Sequence, residues 1–167
     1  AILLELYTRD GSGTMITTDT YEGLRQAKIN DVGGILELIQ PLEDQQVLAH
    51  RSREQLELEI EQFTVIERDG MIIACAALYP YDQHCAELAC VAVHSDYQRQ
   101  GRASELLEHI QQQCLQKDIH TLFILTTHTT HWFIEKGFSE GRLEQIPMQR
   151  RDMYNVQRNS KIYIKKL

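Results

Sequence analysis

Apolar and polar positions along this chain fall into blocks of two different periods, and the periods predict the elements. Leu24 to Ile29 alternates and predicts a strand. Asn30 or Asp31 can cap a following helix, whose apolar positions Val32, Ile35, Leu36 and Ile39 keep helical spacing up to Pro41. Ser52-Arg53-Glu54-Gln55 has the spacing of a capping box and opens a second helix, with Leu56 and Ile60 on its inner face. Phe63 to Glu67 and Met71 to Tyr79 flank Arg68-Asp69-Gly70, and Asp-Gly between two apolar runs predicts a tight hairpin. Glu87 to Val93 is mostly apolar, the pattern of a buried strand.

A strand-loop-helix step follows. Leu106, Leu107, Ile110 and Cys114 recur at helical spacing and place a helix from about Gly101 to Lys117. Thr121 to Thr127 reads as another strand and His131 to Lys136 as a short helix, stopped by Gly137. Asn159 to Lys166 alternates and predicts an edge strand with a solvated lysine face. The implied fold is α/β (α+β): a mixed, mainly antiparallel central sheet flanked by helices, with one embedded β-α-β unit. Residues 1–18 stand apart, an apolar stretch followed by the turn-rich run Thr8 to Thr14, so the globular domain is expected over 19–167.

Composition narrows the function classes. A chain of 167 residues supports one well-buried core. Apolar and charged fractions of 43% and 25% belong to a globular domain rather than a disordered one. A formal net charge of -7 argues against nucleic-acid binding, which draws its affinity from clustered Lys and Arg. No apolar run reaches the roughly 20 residues that span a bilayer, and no signal-peptide pattern opens the chain, so no membrane is expected. Cys75, Cys85, Cys90 and Cys114 do not make a disulfide framework, and a reducing cytoplasm suits them. His128 and His131 lack the carboxylate of a metal-binding helix motif, so no metal is expected.

The candidate chemistry starts at the strand end. Val91 to Ser95 closes a buried strand, a loop carries Gln98-x-x-Gly101-x-Ala103, and an amphipathic helix begins. Backbone N–H groups at a helix start are unpaired donors at the positive end of the helix dipole, so the turn suits a diphosphate. Gly101 and Ala103 leave room for phosphate oxygens to approach those amides. The loop is neither a P-loop nor a Gly-x-Gly-x-x-Gly turn.

With the strand before it and Phe133-Ile134-Glu135-Lys136-Gly137-Phe138 after it, this loop resembles the GNAT N-acetyltransferase superfamily. More closely, the chain from about Thr14 resembles the C-terminal domain of bacterial amino-acid N-acetyltransferases, the N-acetylglutamate synthases that open arginine biosynthesis. The carriers are Pro41-Leu42-Glu43, His50-Arg51-Ser52-Arg53-Glu54, Cys75 to Leu78, Glu87 to Val93, Leu122 to Thr127, His131-Trp132-Phe133 and Arg158-Asn159-Ser160. On this resemblance residues 1–18 are the end of a preceding amino-acid-kinase-like domain, through which the full-length protein would form oligomers. The absence of an initiator Met fits that expectation.

The resemblance implies acetyl transfer from acetyl-CoA to the α-amine of L-glutamate, by direct attack in a ternary complex. Gln98, Arg99, Gln100, Gly101, Arg102 and Ala103 would hold the pyrophosphate. The main chain at Val91 and Val93 would pair with the pantetheine arm, and an N–H of that strand would polarise the thioester carbonyl. Glu87 is the candidate base, through water. Arg51 and Arg158 are the candidate forks for glutamate's carboxylates, with Arg53 close enough to compete with Arg51. Cys90 would line the substrate site without acting as nucleophile. Superfamily members often protonate the leaving thiolate with a Tyr at the position of Phe133, which cannot donate, so Thr126 is the expected hydroxyl. Two other readings stay open: another amino acid or small amine as acceptor, and a non-catalytic acyl-CoA-binding regulatory module.

Overall fold

The computed structural model describes residues 21–81, 84–127, 131–151 and 160–167. Its strands are β1 (Glu22–Gln26), β2 (Phe63–Arg68), β3 (Met71–Tyr81), β4 (Cys85–Val93), β5 (Thr121–Thr126), β6 (Ser139–Gly141) and β7 (Lys161–Lys166). Its helices are α1 (Val32–Asp44), α2 (Arg53–Leu58), α3 (Arg102–Gln116), α4 (His131–Glu135) and α5 (Met148–Arg151). The strands form one sheet in the order β1-β2-β3-β4-β5-β7-β6. β4 and β5 run parallel, joined by α3, and the other registered pairs are antiparallel. This is the mixed sheet with a single β-α-β unit that the sequence implied. No helix among the described residues is long and apolar enough to cross a membrane.

Local signals explain most boundaries. Ser52 caps α2 by accepting from the Gln55 N–H at 3.1 Å. Asp69 (φ 49°) and Gly70 (φ 86°) both take the left-handed conformation that a two-residue hairpin turn needs. Gly137 (φ 97°) ends the turn after α4.

Two expectations need correction. α1 does not stop at Pro41 but runs through it to Asp44. Pro41 deprives the Glu37 carbonyl of its helical partner, but both residues are exposed, so water can take that place. The C-terminal strand is not at the edge: β7 lies between β5 and β6. Ile162, Tyr163 and Ile164 are all buried, so both of its faces are covered. The edge is β6, whose three residues Ser-Glu-Gly carry no alternation to read.

The sheet is buried on both faces. α3 and α4 cover one face with Leu106, Leu107, Ile110 and Phe133 against Ile66, Leu78 and Leu88. α1 and α2 cover the other with Val32, Ile35, Ile39 and Leu56 against Phe63, Val65, Cys75 and Ala77. A smaller cluster of Cys85, Phe123, Ile146, Ile162 and Ile164 extends the packing past β5.

Candidate active site

β4 organises the site through two departures from regular pairing. Against β3, Cys75 is opposite Ala92 and Ala77 is opposite Ala89, so Cys90 and Val91 together face Ala76. This bulge is made by Cys90 at φ 54°, a left-handed conformation uncommon outside glycine, and the Cys75 thiol donates to the Cys90 carbonyl at 3.4 Å. The bulge inverts the facing of the strand. Ala86 and Leu88 belong to the α3 side, whereas Cys90 and Ala92 belong to the α1 side. Against β5, registered pairing covers only Cys85 to Glu87 with Thr121 to Phe123. Past Glu87 the two strands run on without registered partners between them, and the interval this leaves along the β4 backbone is the candidate cleft.

At the end of β4 comes the loop from which the sequence predicts diphosphate binding. Gly101 takes φ 86° at the N-cap of α3, and a Cβ there would meet nothing within 4 Å. Gly101 is therefore required by its backbone angle, and the space beside it is open. No side chain caps α3, so its first-turn N–H groups face outward for an anion. Two side chains of the loop serve the loop itself. Gln98 donates to the Val93 carbonyl at 3.1 Å. Arg102 is buried and forks onto Glu22 of β1 at 3.1 and 2.8 Å, while also donating to the Tyr97 carbonyl and Gln100 Oε1. Arg102 can thus meet a phosphate through its amide, while its guanidinium clamps the loop to the sheet. Gln98, Arg99 and Gln100 are exposed and Ala103 is half-buried.

Glu87 is buried, with 8% of its side chain exposed. Its Oε1 accepts from Arg150 Nε at 2.8 Å and lies 3.5 Å from the Tyr81 hydroxyl. Burial pushes the Tyr81 phenol up to about 12, so it stays a donor. Arg150 comes from α5, which follows the buried anchor Ile146. The sequence reading missed Arg150, and 63 residues separate it from Glu87 with no shared motif.

Arg51 enters from the α1–α2 connection, and Glu43 at the end of α1 fixes it there. Glu43 accepts the Arg51 N–H at 2.9 Å and pairs with His50 Nδ1 at 3.2 Å. Burial works against the Arg51 charge, yet Cys90, Tyr79 and Glu59 offset it and hold the guanidinium protonated. Its Nε is buried with no hydrogen-bond partner. The Tyr79 hydroxyl donates to Glu59 at 2.7 Å and presents its oxygen to the Arg51 guanidinium. The Cys75 thiol, together with the Arg51 charge, pulls the Cys90 thiol below its ordinary value. Arg53, the sequence-level competitor, is exposed at the start of α2.

Thr126 ends β5 opposite Lys161 of β7, and counting from the Glu87–Phe123 pair puts it across the cleft at the level of Cys90. The next residue, Thr127, donates to the Gln46 carbonyl at 3.2 Å and ties this strand end to the region after α1. Phe133 is buried among Trp132, Phe138 and Tyr163, as a core residue. Arg158 and His128 lie outside the described residues. Glu87, Cys90 and Arg51 are thus gathered on the α1 side of β4, with the diphosphate loop at its end.

Residues 33–138 match the Acetyltransferase (GNAT) family. The chain belongs to that family. Among curated relatives, the amino-acid acetyltransferase of Pseudomonas putida (strain GB-1) is 55% identical over 168 residues, covering 100% of this chain and 39% of the relative. That of Yersinia pseudotuberculosis (serotype O:1b, strain IP 31758) is 53% identical over 165 residues, covering 98% and 37%. The N-acetylglutamate synthase of Neisseria gonorrhoeae, solved with coenzyme A and N-acetyl-glutamate, superposes with a TM-score of 0.84 at 41% identity, over 96% of this chain and 38% of that one. The chain therefore spans about two fifths of the length of these relatives. The GNAT match takes in the bulged strand, the diphosphate loop and α3, whereas Arg150 and Arg158 lie beyond it.

Proposed function

We propose that this GNAT domain transfers acetyl from acetyl-CoA to the α-amine of L-glutamate. The observation that carries the acceptor is the buried, unpartnered Nε of Arg51, a charged donor held in place beside the bulge. A carboxylate is the chemistry that would satisfy it, and its fork geometry suits one. The Neisseria gonorrhoeae enzyme's complex with coenzyme A and N-acetyl-glutamate supports the same reading. Coenzyme A fits the residues present: the uncapped start of α3, the open space at Gly101 and the cleft bordered by β4 suit a diphosphate with an extended arm.

In this reading the Arg102–Glu22 clamp presets the loop amides for the pyrophosphate. The β4 backbone around Val91 and Val93 aligns the pantetheine arm and turns an N–H toward the thioester carbonyl, where negative charge develops. Arg150 holds Glu87 by one oxygen, leaving the other to take a proton from the acceptor ammonium through water. Arg51 and Arg158 orient the carboxylates, Cys90 lines the acceptor site, and Thr126 gives the departing thiolate a hydrogen bond. Transfer is direct. Although Cys75 and the Arg51 charge lower the Cys90 thiol, it is buried within the strand, so it serves in this reading as a wall of the acceptor site rather than as the acyl carrier. Cytoplasmic location and oligomerisation through a preceding kinase-like domain belong to the same proposal.

Incubating the domain with acetyl-CoA and a panel of amino acids, and following free thiol release, tests it. Glutamate-dependent release supports the proposal. Release only with other amines moves the acceptor, and binding of acetyl-CoA without turnover makes the domain a binding module.

A further inference from the structure

At the far end of the sheet from the diphosphate loop, where β4 and β5 begin side by side, three side chains of metal-ligand type converge. His84 immediately precedes β4, and Asp118 and His120 lie in the connection from α3 to β5. His84 Nδ1 lies 2.8 Å from the Asp118 carbonyl oxygen and 3.3 Å from Asp118 Oδ2, and His120 Nε2 is 2.7 Å from Asp118 Oδ1. One ligand atom from each residue lies within 4.8 Å of the other two, and all three residues are exposed. No local spacing announces this grouping, because 34 residues separate His84 from Asp118.

The backbone holds the group together independently of the side chains. The N–H groups of His120 and Thr121 donate to the His84 carbonyl at 2.9 and 3.2 Å. The Leu167 N–H donates to the His120 carbonyl at 2.7 Å. His84 and Asp118 both sit at φ 60°, an uncommon conformation outside glycine. The two imidazole rings lie 5.7 Å apart, centroid to centroid.

We propose that His84, Asp118 and His120 form a surface site for a divalent cation of the zinc class. Two imidazoles and one carboxylate are a borderline donor set, which favours zinc, cobalt, nickel or copper over magnesium and calcium. Zinc bonds of about 2.0–2.1 Å to nitrogen and oxygen place tetrahedral ligand atoms about 3.3 Å apart. The present spacings need only small rotations of exposed side chains to reach that value. Solvent supplies the remaining coordination positions. The bound ion cross-links the starts of β4 and β5, the pair whose divergence further along makes the cleft, and so braces the sheet from outside the catalytic machinery. The present His–Asp–His hydrogen bonds satisfy these groups without an ion, and that is the alternative to be tested.

The experiment is titration of the chelator-treated chain with zinc chloride by calorimetry, with cobalt absorption as a second readout. The expected result is saturable one-to-one uptake and a rise in Tm with zinc. His84→Ala and His120→Ala should each weaken uptake by at least about tenfold, and Asp118→Asn, which keeps the loop shape, should weaken it too. His131→Ala should leave it unchanged. Uptake that survives the His84→Ala/His120→Ala double variant, or that is lost in His131→Ala, overturns the assignment. So does the absence of saturable uptake by a chain whose Tm shows it folded.

Discussion

In the proposed reaction Arg51 and Glu87 have separate roles, and their environments imply different kinetic signatures. Arg51 has a fixed backbone, an opposed burial and an unsatisfied nitrogen, which is the condition of a receptor awaiting an anion. A hydrogen bond to a charged group contributes about 1.5–3 kcal/mol, so Arg51→Met should raise the KM for glutamate by roughly 10- to 150-fold with a smaller effect on kcat. Steady-state kinetics with glutamate varied checks this, and an unchanged KM removes Arg51 from the acceptor site. Glu87 is held at one oxygen by Arg150. Glu87→Gln preserves that contact and the shape of the group while removing the base. It should lower kcat by about 10²- to 10⁴-fold and leave both KM values nearly unchanged. A loss of acetyl-CoA affinity equal to the loss of rate would instead make Glu87 a structural residue.

At the scale of elements, the loop and α3 were the most legible part of the chain. Helical spacing placed α3 to within a residue at each end, and Gln98-x-x-Gly101-x-Ala103 marked the turn into it. The structure adds why glycine is there: the left-handed angle, with open space around it. A β-branched residue at that angle is strained by about 1–3 kcal/mol, and its branches would enter the space open to phosphate. Gly101→Val should therefore raise the KM for acetyl-CoA at least about tenfold while the KM for glutamate changes little. Acetyl-CoA titration with glutamate saturating separates the two. What sequence could not show were contacts with no local period. The Cys90 bulge, the Glu43 latch on Arg51 and the Arg150–Glu87 pair join residues through space. The three-residue β6 and four-residue α5 are too short for periodicity to register. The apolar run Ile162-Tyr163-Ile164 between lysines marks a strand but not its neighbours, and its burial reflects the place of β7 inside the sheet rather than at the expected edge.

For the molecule as a whole, β1 is fastened by ion pairs that tie stability to pH. Glu22 accepts from Arg102 and Arg68, and these contacts, Arg102 first, hold its carboxyl below the ordinary value. Asp31 is likewise lowered, chiefly by Arg25. A lowered folded value means the native chain binds fewer protons than the unfolded one. The contribution is complete above the ordinary carboxylate range and is lost as pH falls through that range toward the lowered native values. Urea unfolding across a pH series should show the chain losing stability in acid. Glu22→Gln should be less stable than the parent near neutrality, with the gap narrowing as pH falls; a gap that widens in acid contradicts the linkage.

The bulge at Cys90 has a consequence for how β4 tolerates change. A regular strand gives saturation mutagenesis a simple rhythm, with alternate positions permissive toward one kind of residue. Here the rhythm has a phase slip. Before the bulge the even-numbered Ala86 and Leu88 are built for the α3 core, and Glu87 faces the other way. After it the even-numbered Cys90 and Ala92 serve the α1 side, and the α3 core is met by Val91 and Val93. A tolerance map of residues 85–93 should therefore run in one phase up to Leu88 and in the opposite phase from Cys90. Deleting Cys90 would leave Val91 opposite Ala76 and keep the faces of Ala92 and Val93, whereas deleting a residue elsewhere in the strand would exchange faces, so the strand should tolerate loss of a residue better at the bulge than at any other position.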